Sequence, residues 1–248
     1  MSINGHIRSF SHAVQFLTRL PTPRIDVFDP AELSRAALWF PIVGVIVGVV
    51  VACSVWLGGL ASPWIGALLG LVAWVWVTGG LHLDGLGDVA DALAGAHRSQ
   101  ERFLQILRDP HIGAFGTMAI ALQLMAKLVL LAQIAVLPGT ALLAPLALVA
   151  AWSRLGPPVW SLAVPPLAPG SGERFAQHLD RRIIAVEAAI LGVITAWVAP
   201  LLLAAIIVIP GIAIYWRHRL GGVTGDCLGA GVEVTETILL LLLAARMA

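Results

Sequence analysis

The sequence predicts an all-α fold, a polytopic integral membrane helical bundle with about six or seven transmembrane helices. Three observations predict it. Of the 248 residues, 59% are hydrophobic and only 12% charged, against about a quarter charged in soluble domains. Apolar runs long enough to cross a bilayer, roughly 20 residues each, recur along the chain. Arginines recur in alternate connections between them and are missing from the opposite ones, as expected when one side of a membrane retains positive charge.

The spans follow in order. The first covers about 37–58, "ALWFPIVGVIVGVVVACSVWLG", and the second about 62–81. The third is about 113–136 and the fourth about 139–152, extended by a few residues. From about 184 to 216 the apolar run is too long for one span, and Pro200 and Pro210 divide it into two helices with a tight turn. The last, about 228–247, is polar in its first half and ends in "ILLLLLAA". Arg98, Arg102 and Arg108 lie between spans two and three, Arg154, Arg174, Arg181 and Arg182 between four and five, and Arg217 and Arg219 after six. The opposite connections, near 59–62 and 137–139, contain no Lys or Arg. This places the N-terminus and the polar segments 82–112, 153–183 and 217–229 in the cytoplasm.

No repeat or low-complexity linker divides the chain, so 1–248 is expected to be a single integral membrane domain. Residues 1–35 form a cytoplasmic, interfacial N-terminal segment and 36–248 the transmembrane bundle. Ile7, Phe10, Val14 and Leu17 recur at helical spacing until "LPTPR" stops the helix. The segment has four arginines and no compact apolar region, unlike a cleavable signal. A net charge of +1 argues for no nucleic-acid partner. Cys53 and Cys227 are too isolated for a disulfide framework or a CxxC metal site.

The chemistry concentrates in polar islands. "GGLHLDGLGDVADALAG" (79–95) brings Asp84, Asp88 and Asp91 just where the apolar run ends. If the helix of span two continues through it, these fall at i, i+4 and i+7, within an arc of about 60°. Three carboxylates on one face repel one another, and a hard divalent cation, Mg²⁺ or alternatively Mn²⁺, would neutralise them. A solvated helix end is the plainer reading, but no basic residue occurs between Trp74 and Arg98 to intersperse such a face. His82 points elsewhere on an ideal helix, toward substrate or toward nothing. "RDPHIGAFG" offers Asp109 and, at the start of span three, free N–H groups for an anion. Lys127, about ten residues from either end of its span, calls for a partner or a polar cavity. Arg154 follows span four. "GGVTGDCLGAG" sets Gly222, Thr224 and Gly225 around Asp226, a pattern suited to phosphate and a metal. Glu233 and Glu236, at i and i+3 on the last helix, should look inward.

Together these islands resemble the cobalamin synthase family, the adenosylcobinamide-GDP ribazoletransferases. The resemblance rests on "QFLTRLPTP" (15–23), "FPIVGVIVG" (40–48), "GGLHLDGLGDVADAL" (79–93), "DPHIGAFG" (109–116), Lys127, "SR" (153–154) and "GGVTGDCLGA" (221–230). It implies a multi-pass enzyme of the bacterial inner membrane with its active site facing the cytoplasm. The implied reaction joins adenosylcobinamide-GDP to α-ribazole or its 5′-phosphate, depends on Mg²⁺ and releases GMP. Asp84, Asp88, Asp91 and Asp226 would be the catalytic and metal-binding residues, with Asp91 or Asp226 as general base. His82, Asp109, Lys127, Arg154, Gly222, Thr224 and Gly225 would bind substrate. Membrane lipid is the other expected partner, and a homo-oligomer is left open. The 153–183 connection, with "APGSGERFAQHLDRR", reads equally as a lid and as an amphipathic connector. Two alternatives compete. A phosphotransferase of the CDP-alcohol type also uses helical aspartates but places an arginine early after them. A cation-coupled transporter would set its charges near the midplane on broken helices.

Overall fold

A computed structural model describes residues 3–23, 30–97, 99–168, 175–176 and 179–246. Arg24, Arg98, Arg174 and most of "APGSGERFAQH" lie outside the described residues, and with them the choice between lid and connector. Eleven helices carry the described chain. They are α1 (Ile3–Leu17), α2 (Pro30–Ala36), α3 (Phe40–Gly59), α4 (Pro63–Thr78), α5 (Leu81–Gly95), α6 (Gln100–Ile106), α7 (Ala114–Ile134), α8 (Gly139–Ala163), α9 (Arg181–Val198), α10 (Ala205–Arg219) and α11 (Gly225–Ala245). Among the described residues the sole extended pairing is one parallel bridge, Pro166 with Val223.

Five segments are long and apolar enough to cross a membrane: Glu32–Gly59, Ala114–Ile134, Ala141–Ala163, Pro200–Arg219 and Gly225–Ala245. The pair α4 and α5 passes the same test together, which makes six. Helix α9 is the fifth segment of the sequence reading and carries Arg181, Arg182 and Glu187 in its 18 residues. The outer surface is apolar, with Trp56, Trp64, Trp76, Leu122, Ile207 and Trp197 all largely exposed, as side chains facing lipid should be. Helix α3 packs closest on α8. Gly44 and Gly48 lie against the backbone of Ala150 and Leu146, where an added Cβ would come within 2.4 Å of each carbonyl oxygen. Small residues at such contacts let membrane helices approach closely.

Two expectations change. The helix of span two does not run on through the aspartates. It ends at Thr78, and Gly79 and Gly80 both take left-handed φ values, 65° and 75°, which residues with a Cβ adopt only at a cost. The chain turns by 86° into α5. Span four, expected to stop soon after residue 152, instead runs through Pro157 and Pro158 to Ala163. Prolines inside a membrane helix are tolerated where neighbouring groups satisfy the freed carbonyls. Arg154 therefore lies in the interior of α8 and not in a loop.

The N-terminal helix docks on this bundle. Ala13, Val14 and Leu17 of α1 are buried against Phe40, Val43 and Phe175, while Ile7 stays 60% exposed. Glu32 on α2 receives Arg8 (3.0 Å) and His12 (2.8 Å), tying α1 and α2 together.

Candidate functional site

The site begins where α5 crosses the start of α11. A Cβ on Gly85 would lie 2.9 Å from the carbonyl oxygen of Asp226, so the missing side chain lets the two backbones meet. That contact sets Asp84 and Asp88 of α5 beside Asp226 in the first turn of α11, within electrostatic reach of one another. Thr224 fixes the entry to α11, its hydroxyl accepting from the N–H of Cys227 at 3.3 Å. Gly222 packs against the carbonyl of Pro165. Val223 donates its N–H to that same carbonyl and accepts from Leu167, both at 2.9 Å. The Gly-rich segment is thus held on the chain following α8, with Thr224 and Gly225 left on the wall of a cavity.

That cavity, of about 320 Å³, lies among α1, α3, α5, α8 and α11. Its polar wall carries His82, Asp84, Thr224 and Asp226; its apolar wall carries Phe16, Phe40, Val164, Phe175 and Leu228. Asp88 and Asp91 are not on it.

Asp91 has a different task. Its Oδ2 accepts from the N–H of Gly113 at 2.7 Å and its Oδ1 from that of Gly116 at 2.9 Å. The two N–H groups expected to cradle an anion at the start of α7 are therefore met by a carboxylate of the chain itself. This corrects the reading of Asp91 as a ligand equivalent to Asp84 and Asp88. Asp109 also departs from expectation. It is exposed, off the cavity, and bonded to His111 through Nδ1 (2.7 Å) and the backbone N–H (3.1 Å). The side-chain bond first, then the backbone bond, holds its carboxyl below the usual carboxylate range.

The charges at membrane depth form a separate cluster. Lys127 of α7 donates to Glu233 at 2.6 Å and also to Glu236, both on α11. Arg154 of α8 pairs with Glu236 and donates to the Ser153 hydroxyl at 2.8 Å. Gln123 donates to the Glu233 carboxylate at 2.7 Å and to Thr237 at 2.8 Å, and the Lys127 ammonium sits 4.7 Å from the Trp74 ring centroid. Two cations and two carboxylates, all nearly inaccessible, balance one another. Lys127 and Arg154, expected to bind phosphate oxygens, are here members of an ion cluster, as suits charges at this depth, where an uncompensated one would be too costly. Glu233 and Glu236 look inward, as expected.

His82 lies between the two regions. It is 5% exposed, its Nδ1 is buried without a partner, and it faces the charge of Arg154, whose Nη2 is likewise unpartnered.

Oxygen donors alone supply the acidic group, a set suited to a hard cation. Among the described residues no three His, Cys, Asp or Glu side chains converge tightly enough to hold a metal. Two carboxylates do fit Mg²⁺, which commonly takes one or two protein carboxylates together with substrate phosphate oxygens and water. Asp84 and Asp88, one turn apart and mutually repelling, meet that requirement.

A multi-pass helical membrane protein whose carboxylates, from two helices, edge an apolar cavity is the class these features define. Within that class the chain belongs to the cobalamin-5-phosphate synthase family, whose model matches residues 9–244. It is similar to the adenosylcobinamide-GDP ribazoletransferase of Laribacter hongkongensis, at 55% identity over 95% of this chain and 96% of that one. The enzyme of the same name from Thiobacillus denitrificans is 46% identical over 98% and 97%. That of Pseudomonas aeruginosa is 38% identical over 96% and 98%. No solved structure matches the chain.

Proposed function

We propose that this chain is itself an adenosylcobinamide-GDP ribazoletransferase. It would transfer the cobinamide phosphate of adenosylcobinamide-GDP to α-ribazole or its 5′-phosphate and release GMP. The near full-length likeness to enzymes of that name supports the reaction. The observation that carries the site is the meeting of Asp84 and Asp226 on one cavity wall.

The ribose hydroxyl oxygen attacks the phosphorus on the cobinamide side. A new P–O bond forms, the bond from that phosphorus to the bridging oxygen breaks, and GMP leaves with the bridging oxygen. Positioning and charge stabilisation dominate such transfers. Asp84 and Asp88 would hold Mg²⁺, and when bound it supplies neutralising charge to the pyrophosphate and the departing GMP. Asp226 takes the hydroxyl proton. Asp91, the other base considered, already spends both oxygens on α7. The enzyme works in the bacterial inner membrane with this end of the bundle in the cytoplasm. Arg102, Arg108, Arg217 and Arg219 adjoin the same connections, in keeping with retained positive charge.

Purified protein in detergent, given adenosylcobinamide-GDP and α-ribazole with and without Mg²⁺, tests this by release of GMP and formation of the corrinoid product. Turnover that requires Mg²⁺ and disappears in Asp84→Asn and Asp226→Asn supports the reaction and the site. Undiminished turnover in both variants removes the site, and no turnover with any divalent metal removes the reaction.

A further inference from the structure

We propose that the cavity beside Asp84 and Asp226 is the acceptor subsite, and that it takes the flat, apolar bicyclic base of the ribazole nucleoside with the sugar turned toward the two carboxylates. The inference rests on the transferase reading and adds which of the two substrates fills the cavity.

Size favours the acceptor. A volume of about 320 Å³ is at the small end of ligand pockets and matches one nucleoside, whereas a corrin macrocycle would lie largely outside it. The division of the wall selects among smaller groups. Phe16 stacks on Phe40 with centroids 5.9 Å apart and planes 11° apart, and Phe40 on Phe175 at 6.3 Å and 18°. Phe40 is enclosed between the other two rings and 1% exposed, so the row forms a rigid apolar wall, which favours an apolar ligand. Guanine, with polar groups on several edges, would leave hydrogen bonds unmade against phenylalanine and leucine. A benzimidazole substituted only with methyl groups has no exocyclic donor or acceptor to lose. A lipid acyl chain would suit the apolar wall but would leave Asp84, Asp226 and His82 without a reason, whereas a nucleoside sugar brings hydroxyls to them. This placement sets the attacking hydroxyl next to Asp226.

The test fills the cavity with Leu228→Trp and, separately, Ala176→Trp, both at lining residues. The full chain in detergent is checked for monodisperse elution and unchanged Tm. Steady-state kinetics are run on each substrate, and binding of α-ribazole alone is measured by equilibrium dialysis. Losing a buried aromatic ring's contacts predicts a KM for α-ribazole raised by about tenfold or more in both Trp variants, with KM for adenosylcobinamide-GDP within about twofold of wild type. Dialysis should show the same loss of α-ribazole binding. A rise in KM for adenosylcobinamide-GDP instead, or unchanged α-ribazole binding in both Trp variants, overturns the assignment. So does lipid that co-purifies with wild type and is lost from the Trp variants while α-ribazole binding stays intact. If wild type binds α-ribazole, loses it on filling, yet shows no turnover, the subsite stands and the proposed reaction falls.

Discussion

The carboxylate of Asp91 accepts a 2.7 Å hydrogen bond from the N–H of Gly113, 22 residues further along the chain. Through this bond and its companion to Gly116, α5 holds the start of α7. One member of an aspartate triplet thereby becomes a helix clamp, while Asp84, two turns earlier, lines the cavity. This division gives the first prediction. Asp91→Asn should lower stability by about 1–2 kcal/mol, the scale of a lost charged cap, seen as a lower Tm in detergent. Asp84→Asn, which breaks no such bond, should leave Tm unchanged. Equal Tm values for wild type and Asp91→Asn would show that the clamp contributes nothing.

The buried ion cluster predicts unequal costs for single and paired changes. Lys127→Met leaves Glu233 unpaired apart from Gln123, and should cost about 3 kcal/mol or more, as breaking buried pairs does. Lys127→Met combined with Glu233→Gln should recover at least half of that loss, because Glu236 keeps Arg154. Reversible unfolding in mixed micelles of rising SDS content measures both. Additive losses in the double variant would show that Lys127 and Glu233 do not act as a pair.

At the α4–α5 turn, Gly79 and Gly80 have left-handed φ values. Gly79→Ala should cost about 1–2 kcal/mol, and more than Gly80→Ala. The reason is the Arg19 guanidinium stem, which lies within 2.5 Å of a Cβ at position 79, while position 80 faces open space. Thermal melts of the two variants decide it; the opposite order would mean that crowding by Arg19 is not felt.

Asp109 is predicted to titrate below the usual carboxylate range in wild type and to rise toward it in His111→Ala, because the His111 side chain is the largest cause of the lowering. A folded-state pKa below the unfolded value favours folding above the unfolded pKa and loses that contribution as pH falls through the folded one. Being fully exposed, this pair should move stability little. Carboxyl carbon NMR of labelled protein reads the titration directly; an identical midpoint in both proteins would remove His111 as the cause.

Much of the fold was legible because hydrocarbon length and charge asymmetry are properties of composition. The span boundaries near residues 58 and 136 follow from them. Other features were not. Nothing local marks Gly79–Gly80 as a right-angled turn, since a glycine pair also occurs in continuous helices, and nothing local shows that span four runs on to Ala163. In the site, Asp84 and Asp226 stood out as unpaired acids near glycine. The cavity's aromatic wall was not visible, because Phe16, Phe40 and Phe175 come from three distant segments.

By itself, then, the sequence determined a helical membrane bundle with carboxylates gathered at one end and a few charged residues inside it. Those follow from what lipid tolerates, which is largely a matter of residue type and spacing. Tertiary structure decided which charge meets which. It turned Asp91 to the N–H groups of α7, closed Lys127 and Arg154 on Glu233 and Glu236, and left Asp84 and Asp226 on an open cavity. Such pairings depend on helix crossings and on one close approach at Gly85, distances that no spacing along the chain encodes.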